Sequence, residues 1–175
     1  IGGNHFIHAC RRNIDITTIL INNNIYGMTG GQFSPTTPPG QKGTTAPYGN
    51  FESSFSPTEL AIAAGASFVA RSTAYHANHL QEIIVKAIEH KGFSVVEAIA
   101  QCPTIFGRLN RLGNAVEMMK WQKERAIMKK ANVELSEDQL QDKMLIGILA
   151  EKDIEKYTDK YYRLVESLQK NENSL

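Results

Sequence analysis

Apolar runs and apolar stripes alternate along the chain, and this pattern predicts an α/β fold. A nearly continuous β-branched run over residues 14–21 is typical of a strand buried on both faces of a parallel sheet. Residues 66–70 and 93–100 predict two further strands, and residues 76–91 between them carry an apolar stripe at helical spacing. Strand, helix and strand in this order predict parallel pairing through a crossover helix.

N-cap and capping-box residues predict where the other helices begin. Small and capping residues at 2–4 predict a helix that continues through residue 12. Ser56, Pro57 and Glu59 form an N-cap, a first helical residue and a capping-box partner, and residues 114–117 repeat such a start for a helix running to Lys130. After it we predict, in order, a short polar helix at 136–139, a small strand at 144–149 and a last amphipathic helix at 154–168.

Polar residues follow the first strand abruptly. Three asparagines, residues 22–24, stand just past its carboxyl end, which is where open α/β sheets place their ligands. Gly27, Gly30 and Gly31 then allow backbone N–H groups to approach an anion closely. An ordinary turn has the same composition, and this stretch taken alone favours the turn.

A long loop over residues 33–55 holds most of the prolines and shows no periodicity. Loops of this length in compact domains are usually functional covers or disordered segments. We predict a cover over a cofactor pocket.

Composition narrows the class of protein. A chain of 175 residues is long enough for one domain with its own core. A formal net charge of +1 gives no reason to expect nucleic acid or an acidic membrane as a partner. No apolar run approaches the ~20 residues that cross a bilayer, and no export signal is present, so we expect a cytoplasmic protein. His5 and His8 lack a partner ligand and are assigned no chemistry.

Residues 22–38, together with 1–9, 59–71, 101–108 and 145–149, resemble the β subunit of 2-oxoacid:ferredoxin oxidoreductases, most closely the 2-oxoglutarate type. The resemblance covers nearly the whole chain and marks it as the carboxyl-terminal portion of a longer polypeptide. It implies a thiamine-diphosphate-binding α/β domain over residues 1–110, incomplete at its amino end, with a mainly parallel sheet flanked by helices. Residues 111–175 would form a helical tail packed on the domain or on a partner subunit.

The resemblance also implies the cofactors thiamine diphosphate and Mg²⁺. Asn23 would bind the metal through its side-chain oxygen and Ile25 through its backbone carbonyl, since Mg²⁺ prefers hard oxygen ligands. The third protein ligand would be an aspartate that this sequence does not contain. Some relatives carry lysine at the position of Gly30, so no role of that lysine carries over. The residues implied in cofactor binding are Gly2, Gly3, Gly27, Met28 and Thr29.

Two cysteines, Cys10 and Cys102, lie far apart in the sequence and form neither a disulfide scaffold nor a complete metal site. By resemblance, Cys102 is the last of four thiolate ligands of a [4Fe-4S] cluster, the others lying in an amino-terminal part. Cys10 is expected to be a packing residue, and no residue is assigned a catalytic role.

The implied activity is oxidative decarboxylation of a 2-oxoacid, and the likeness to the 2-oxoglutarate type implies conversion of 2-oxoglutarate to succinyl-CoA. Its partners would be an α subunit, coenzyme A, the 2-oxoacid and ferredoxin as electron acceptor. One alternative is a non-catalytic assembly module of that complex. Another is a different thiamine enzyme such as an acetolactate synthase, which the segment around Cys102 disfavours because a non-redox enzyme needs no cluster ligand.

Overall fold

The computed structural model describes residues 2–129 and 142–172. Their helices and strands are, in chain order, α1 Gly3–Arg12, β1 Thr17–Asn22, β2 Ile25–Tyr26, β3 Gln32–Phe33, α2 Pro57–Ala63, β4 Phe68–Thr73, α3 Ala77–Glu89, β5 Ser94–Ile99, α4 Ala115–Arg125, β6 Ala126–Met128, β7 Met144–Glu151 and α5 Tyr157–Glu172. A 3-10 turn at Ala74–His76 and a π-helical turn at Pro103–Gly107 connect these elements. None of the helices in these residues is long and apolar enough to cross a bilayer.

A five-stranded sheet in the order β1-β5-β4-β7-β6 forms the centre of the molecule. β5 pairs in parallel with β1 on one side and with β4 on the other. β7 runs antiparallel to β4, and β6 is parallel to β7. The predicted strand–helix–strand unit and the mainly parallel sheet flanked by helices are therefore confirmed.

The core lies on both faces of β4 and β5. On one face, α1 and α2 pack Cys10 and Ala61 against Val69 and Val95. On the other face, α3 covers Phe68 and Val96, among others. Cys10 is fully buried in this packing, as predicted, and burial raises the pKa of its thiol to about 11.

β1 differs from the prediction. Its run of β-branched residues indicated a strand buried on both faces, but Ile19 is 43% and Ile21 64% exposed. The physical reason is its position, because β1 is an edge strand among the described strands and has a neighbour on one side only. All six residues of β5, in contrast, are buried, so β5 is the strand that is covered on both faces.

The carboxyl-terminal third contains both helices and strands. α4 begins at the predicted capping box of Asn114 and Glu117 but ends at Arg125, five residues before the predicted end. Residues 126–128 instead pair with β7, so the sheet gains two strands from this segment. Lys130 and the predicted helix at 136–139 lie outside the described residues. The division into two domains at residue 110 stays a prediction.

Candidate functional site

The asparagines after β1 fold the chain into a tight turn, which we call the asparagine turn, Asn22 to Asn24. Asn22 Oδ1 accepts a hydrogen bond from the backbone N–H of Asn24 at 3.0 Å, and Asn23 Oδ1 accepts one from Ile25 N–H at 3.3 Å. Asn24 has a φ of +61°, in the left-handed region that asparagine tolerates better than most residues. Two overlapping side-chain turns therefore set the backbone around Asn23.

The next residues form the glycine loop, Gly27 to Gly31, closed by a hydrogen bond of 2.9 Å from Gly31 N–H to Tyr26 C=O. Gly27 lies directly against Cys102, since a Cβ atom added at Gly27 would be 3.3 Å from the cysteine Sγ. A Cβ added at Gly31 would overlap Ile105 Cγ2 at 2.4 Å, and Gly31 has a φ of +89°. Both glycines permit a close approach between the loop and the segment that follows Cys102.

Cys102 enters the site from the neighbouring strand. β5 ends beside β1, where Ala100 N–H donates to Asn22 C=O at 2.8 Å. The cysteine side chain is 7% exposed and packs in a small apolar cluster with Ile25, Phe106 and Met118. The structure thus brings Cys102 together with the asparagine turn and the glycine loop.

The remaining predicted cofactor residues lie at the surface. Met28 is fully exposed. The hydroxyl of Thr29 donates to Gln32 Oε1 at 2.6 Å, and Gln32 Nε2 donates back to Thr29 C=O at 2.9 Å. This bond uses the one proton of the Thr29 hydroxyl within the loop itself.

Gly2 and Gly3 lie at the exposed start of α1, where Gly2 is the N-cap and has no side chain to accept a hydrogen bond from the first N–H groups of the helix. A Cβ added at Gly3 would meet no atom within 4 Å, so no steric contact with this chain requires glycine there.

A cleft of about 700 Å³ opens beside the asparagine turn. Its walls are Asn23 and Asn24, part of the loop over residues 33–55, and the inner side of α4 with Trp121. That loop is fixed to the turn because Thr37 Oγ1 donates to Asn24 C=O at 2.6 Å. The predicted cover therefore lies against the asparagine turn, and its covering role stays a prediction.

One part of the site was not predicted from the sequence. Glu97, in the middle of β5, is 1% exposed and forms hydrogen bonds with both Asn22 and Arg71. The signal was present in the sequence as a single carboxylate inside the apolar run over residues 94–99. A charge at such a position needs a buried partner, which a local pattern does not identify.

The donor set fits Mg²⁺ and a diphosphate. Asn23 and Ile25 lie on one turn and carry uncharged oxygen atoms of the kind that can bind Mg²⁺. In the glycine loop, Gly30 N–H donates to Gly27 C=O at 3.3 Å and Gly31 N–H to Tyr26 C=O at 2.9 Å, so a diphosphate would have to meet the backbone N–H groups of residues 27–29.

Comparison with known proteins identifies the family. A family model described as thiamine pyrophosphate enzyme, C-terminal TPP binding domain, matches residues 1–98. The chain belongs to this family of thiamine pyrophosphate enzymes. The predicted thiamine-diphosphate-binding fold is therefore confirmed.

Relatives of this chain include the 2-oxoglutarate synthase subunit KorB of Methanothermobacter marburgensis, 50% identical over 95% of this chain and 58% of the relative. The subunit of the same name from Methanocaldococcus jannaschii is 48% identical over 96% of this chain and 62% of the relative. Among solved structures, the 2-oxoglutarate:ferredoxin oxidoreductase from Magnetococcus marinus, with 2-oxoglutarate, coenzyme A and succinyl-CoA bound, matches with a TM-score of 0.82 and 28% identity, over 96% of this chain and 58% of that chain.

These findings confirm the predicted resemblance to the 2-oxoglutarate type of subunit. They also show that the chain spans about three-fifths of the length of the relatives it matches.

Proposed function

We propose that this chain is the cofactor-binding part of the β subunit of a 2-oxoglutarate:ferredoxin oxidoreductase. The complete enzyme would convert 2-oxoglutarate and coenzyme A to succinyl-CoA and carbon dioxide, with two electrons passing singly to ferredoxin. The contact between Gly27 and Cys102 carries the proposal, because it brings the glycine loop beside a candidate iron–sulfur ligand. The names of the similar proteins support the same reaction. Location in the cytoplasm stays a prediction.

Asn23 and Ile25 would hold Mg²⁺ through the side-chain oxygen and the backbone carbonyl, and an aspartate from outside this sequence would complete the protein ligands. Gly27 and Thr29 would contact the diphosphate, and Gly2 and Gly3 would offer the N–H groups of a helix start. Thiamine diphosphate, when bound, supplies the nucleophilic carbon and the electron sink that decarboxylation of a 2-oxoacid needs. This chain contributes position and electrostatics.

Met28 and Cys102 would contact different cofactors, the thiazolium ring and the iron–sulfur cluster. Met28 is fully exposed, so a side chain meant to pack against the thiazolium ring needs a cover from another chain, which we assign to the α subunit. Cys102 would provide one thiolate of a [4Fe-4S] cluster. Because Cys10 is buried in the core, the other thiolates must come from outside this sequence.

The decisive experiment is Asn23→Ala in the assembled oxidoreductase. Loss of a metal ligand should raise the magnesium concentration that half-saturates thiamine diphosphate binding by at least about tenfold. Asn114→Ala is the matched control, because it makes the same substitution at the N-cap of α4, away from the asparagine turn. Unchanged magnesium dependence in Asn23→Ala would reject the metal assignment.

The alternative, a non-catalytic assembly module, makes a different prediction for the unmodified protein. A module would assemble with the α subunit and bind no thiamine diphosphate at any magnesium concentration. Calorimetric titration of the assembled wild-type complex with the cofactor separates these two functions.

A further inference from the structure

A buried carboxylate stands directly behind the asparagine turn. Glu97 lies on β5, paired with Leu20 of β1 on one side and with Arg71 of β4 on the other. Its Oε2 accepts a hydrogen bond from Arg71 Nε at 2.7 Å, and Arg71 Nη2 donates to Thr58 Oγ1 at 2.6 Å. The ion pair compensates the cost of burying the Glu97 carboxylate, while the Arg71 side chain stays 19% exposed.

The second carboxylate oxygen of Glu97 reaches the turn itself. Glu97 Oε1 accepts from Asn22 Nδ2 at 2.8 Å. This bond fixes which end of the Asn22 amide faces the sheet, because a carboxylate accepts hydrogen bonds and donates none. The amide oxygen, Oδ1, is therefore directed towards the turn.

Asn22 Oδ1 accepts two further hydrogen bonds. The donors are Asn24 N–H at 3.0 Å and Thr36 Oγ1 at 2.8 Å. Asn24 carries a φ of +61°, and its carbonyl is held by Thr37. Asn23, the candidate magnesium ligand, is thus flanked by two residues whose conformations depend on the Asn22 amide.

We infer that Glu97 is a positioning residue for the magnesium site, acting through Asn22 to hold the turn that carries Asn23 and Ile25. The inference rests on the proposed function and goes beyond it, because neither Glu97 nor Asn22 is a metal ligand. Residues that orient metal ligands by hydrogen bonds affect metal affinity strongly, by roughly 10–100-fold.

The hydrogen-bond pattern predicts the effect of Glu97→Gln, which keeps the size of the side chain. Arg71 has only donors, so the new amide should turn its oxygen towards Arg71; its nitrogen then faces Asn22 Nδ2, and two donors oppose each other. Asn22 can relieve this only by reversing its amide, which turns its nitrogen against Asn24 N–H. The turn then loses the acceptor that holds it.

A compensating change should restore the pattern. In Glu97→Gln combined with Asn22→Asp, the glutamine nitrogen donates to the aspartate, while the aspartate accepts from Asn24 N–H and from Thr36. The total charge of the pair is the same as in the wild type. Asn22→Asp alone places two carboxylates face to face. It should weaken magnesium-dependent cofactor binding as much as Glu97→Gln alone.

The test measures the magnesium concentration that half-saturates thiamine diphosphate binding, and kcat at saturating magnesium, in the assembled oxidoreductase. Glu97→Gln should raise the half-saturating concentration roughly 10–100-fold while kcat at saturating magnesium stays near wild type. The double variant should return to near the wild-type value. Ser67→Ala is the stability control. Ser67, the residue before β4, is buried and donates a hydrogen bond to Asn13, away from the asparagine turn. Thr36→Val removes one donor to Asn22 and should raise the half-saturating concentration less than Glu97→Gln does. It replaces Glu97→Gln as the test if that variant fails to assemble.

Three outcomes are informative. A rise in both single variants with recovery in the double variant supports the inference. A half-saturating concentration in Glu97→Gln and Thr36→Val no higher than in Ser67→Ala overturns it and leaves the proposed function standing. Absence of magnesium-dependent cofactor binding in the wild-type complex overturns the proposed function and the inference together.

Discussion

Gly31→Ala tests the contact between the glycine loop and the turn that follows Cys102. Gly31 has a φ of +89°, and a Cβ there would lie 2.4 Å from Ile105 Cγ2. The loop cannot easily shift, because Gly31 N–H donates to Tyr26 at 2.9 Å and Gly31 C=O accepts from Thr44 at 2.7 Å. A positive φ costs about 1–3 kcal/mol and an overlap in a packed contact about 1–3 kcal/mol. We expect Gly31→Ala to lower the free energy of unfolding by about 2–6 kcal/mol.

Two further variants separate the cost of the positive φ from the cost of the overlap with Ile105. Gly30→Ala introduces a side chain at a φ of +114° with its nearest neighbour 3.9 Å away, so it should cost only the backbone term, about 1–3 kcal/mol. Ile105→Leu removes Cγ2 at nearly constant volume and should cost less than about 1.5 kcal/mol alone. In the Gly31→Ala background it should recover about 1–3 kcal/mol.

Urea unfolding of the four variants measures these differences directly. The reasoning fails if Gly31→Ala is no more destabilising than Gly30→Ala, or if Ile105→Leu simply adds its own cost to Gly31→Ala.

Two predictions follow from shifted pKa values. Burial raises the pKa of the Cys10 thiol from 9.0 to about 11, so stability should fall as the pH rises from about 9, and iodoacetamide should alkylate Cys10 only on unfolding. Rapid alkylation of the native chain at Cys10 would contradict this. Burial, with the charges of His79 and Lys123, lowers the pKa of His76 below 6.5, so its stabilising contribution is present above pH 6.5 and is lost as the pH falls through the lower folded value. An NMR titration of His76 with a midpoint at or above pH 6.5 would contradict the lowered pKa.

Local sequence patterns were sufficient to predict where several helices start and where the strand–helix–strand unit lies. The capping residues Ser56 and Asn114 mark the starts of α2 and α4 because an N-cap acts on N–H groups two or three positions away. Asn23 and Cys102 each follow a predicted strand, but the order of the strands in the sheet was not predicted. In the structure these two strands, β1 and β5, are neighbours, and this places Asn23 and Cys102 at one edge of the sheet.

Long-range partners explain what the sequence did not reveal. The end of α4 at Arg125 depends on pairing of residues 126–128 with β7, which lies further along the chain. The exposure of Ile21 depends on what stands beside β1, and an apolar run carries no information about its neighbour. Glu97 was overlooked because its partners, Arg71 and Asn22, are 26 and 75 residues away.

The most direct test of the proposed site is a crystal structure of the complete oxidoreductase with thiamine diphosphate and Mn²⁺ in place of Mg²⁺, with anomalous scattering data collected for manganese and iron. The proposed site predicts a manganese peak at about 2.1–2.2 Å from Asn23 Oδ1 and from the Ile25 carbonyl oxygen, and iron peaks bonded to Cys102 Sγ. A manganese peak bound to neither Asn23 nor Ile25, or iron sites without Cys102 as a ligand, would contradict the assignment of the asparagine turn and the neighbouring cysteine as the cofactor site.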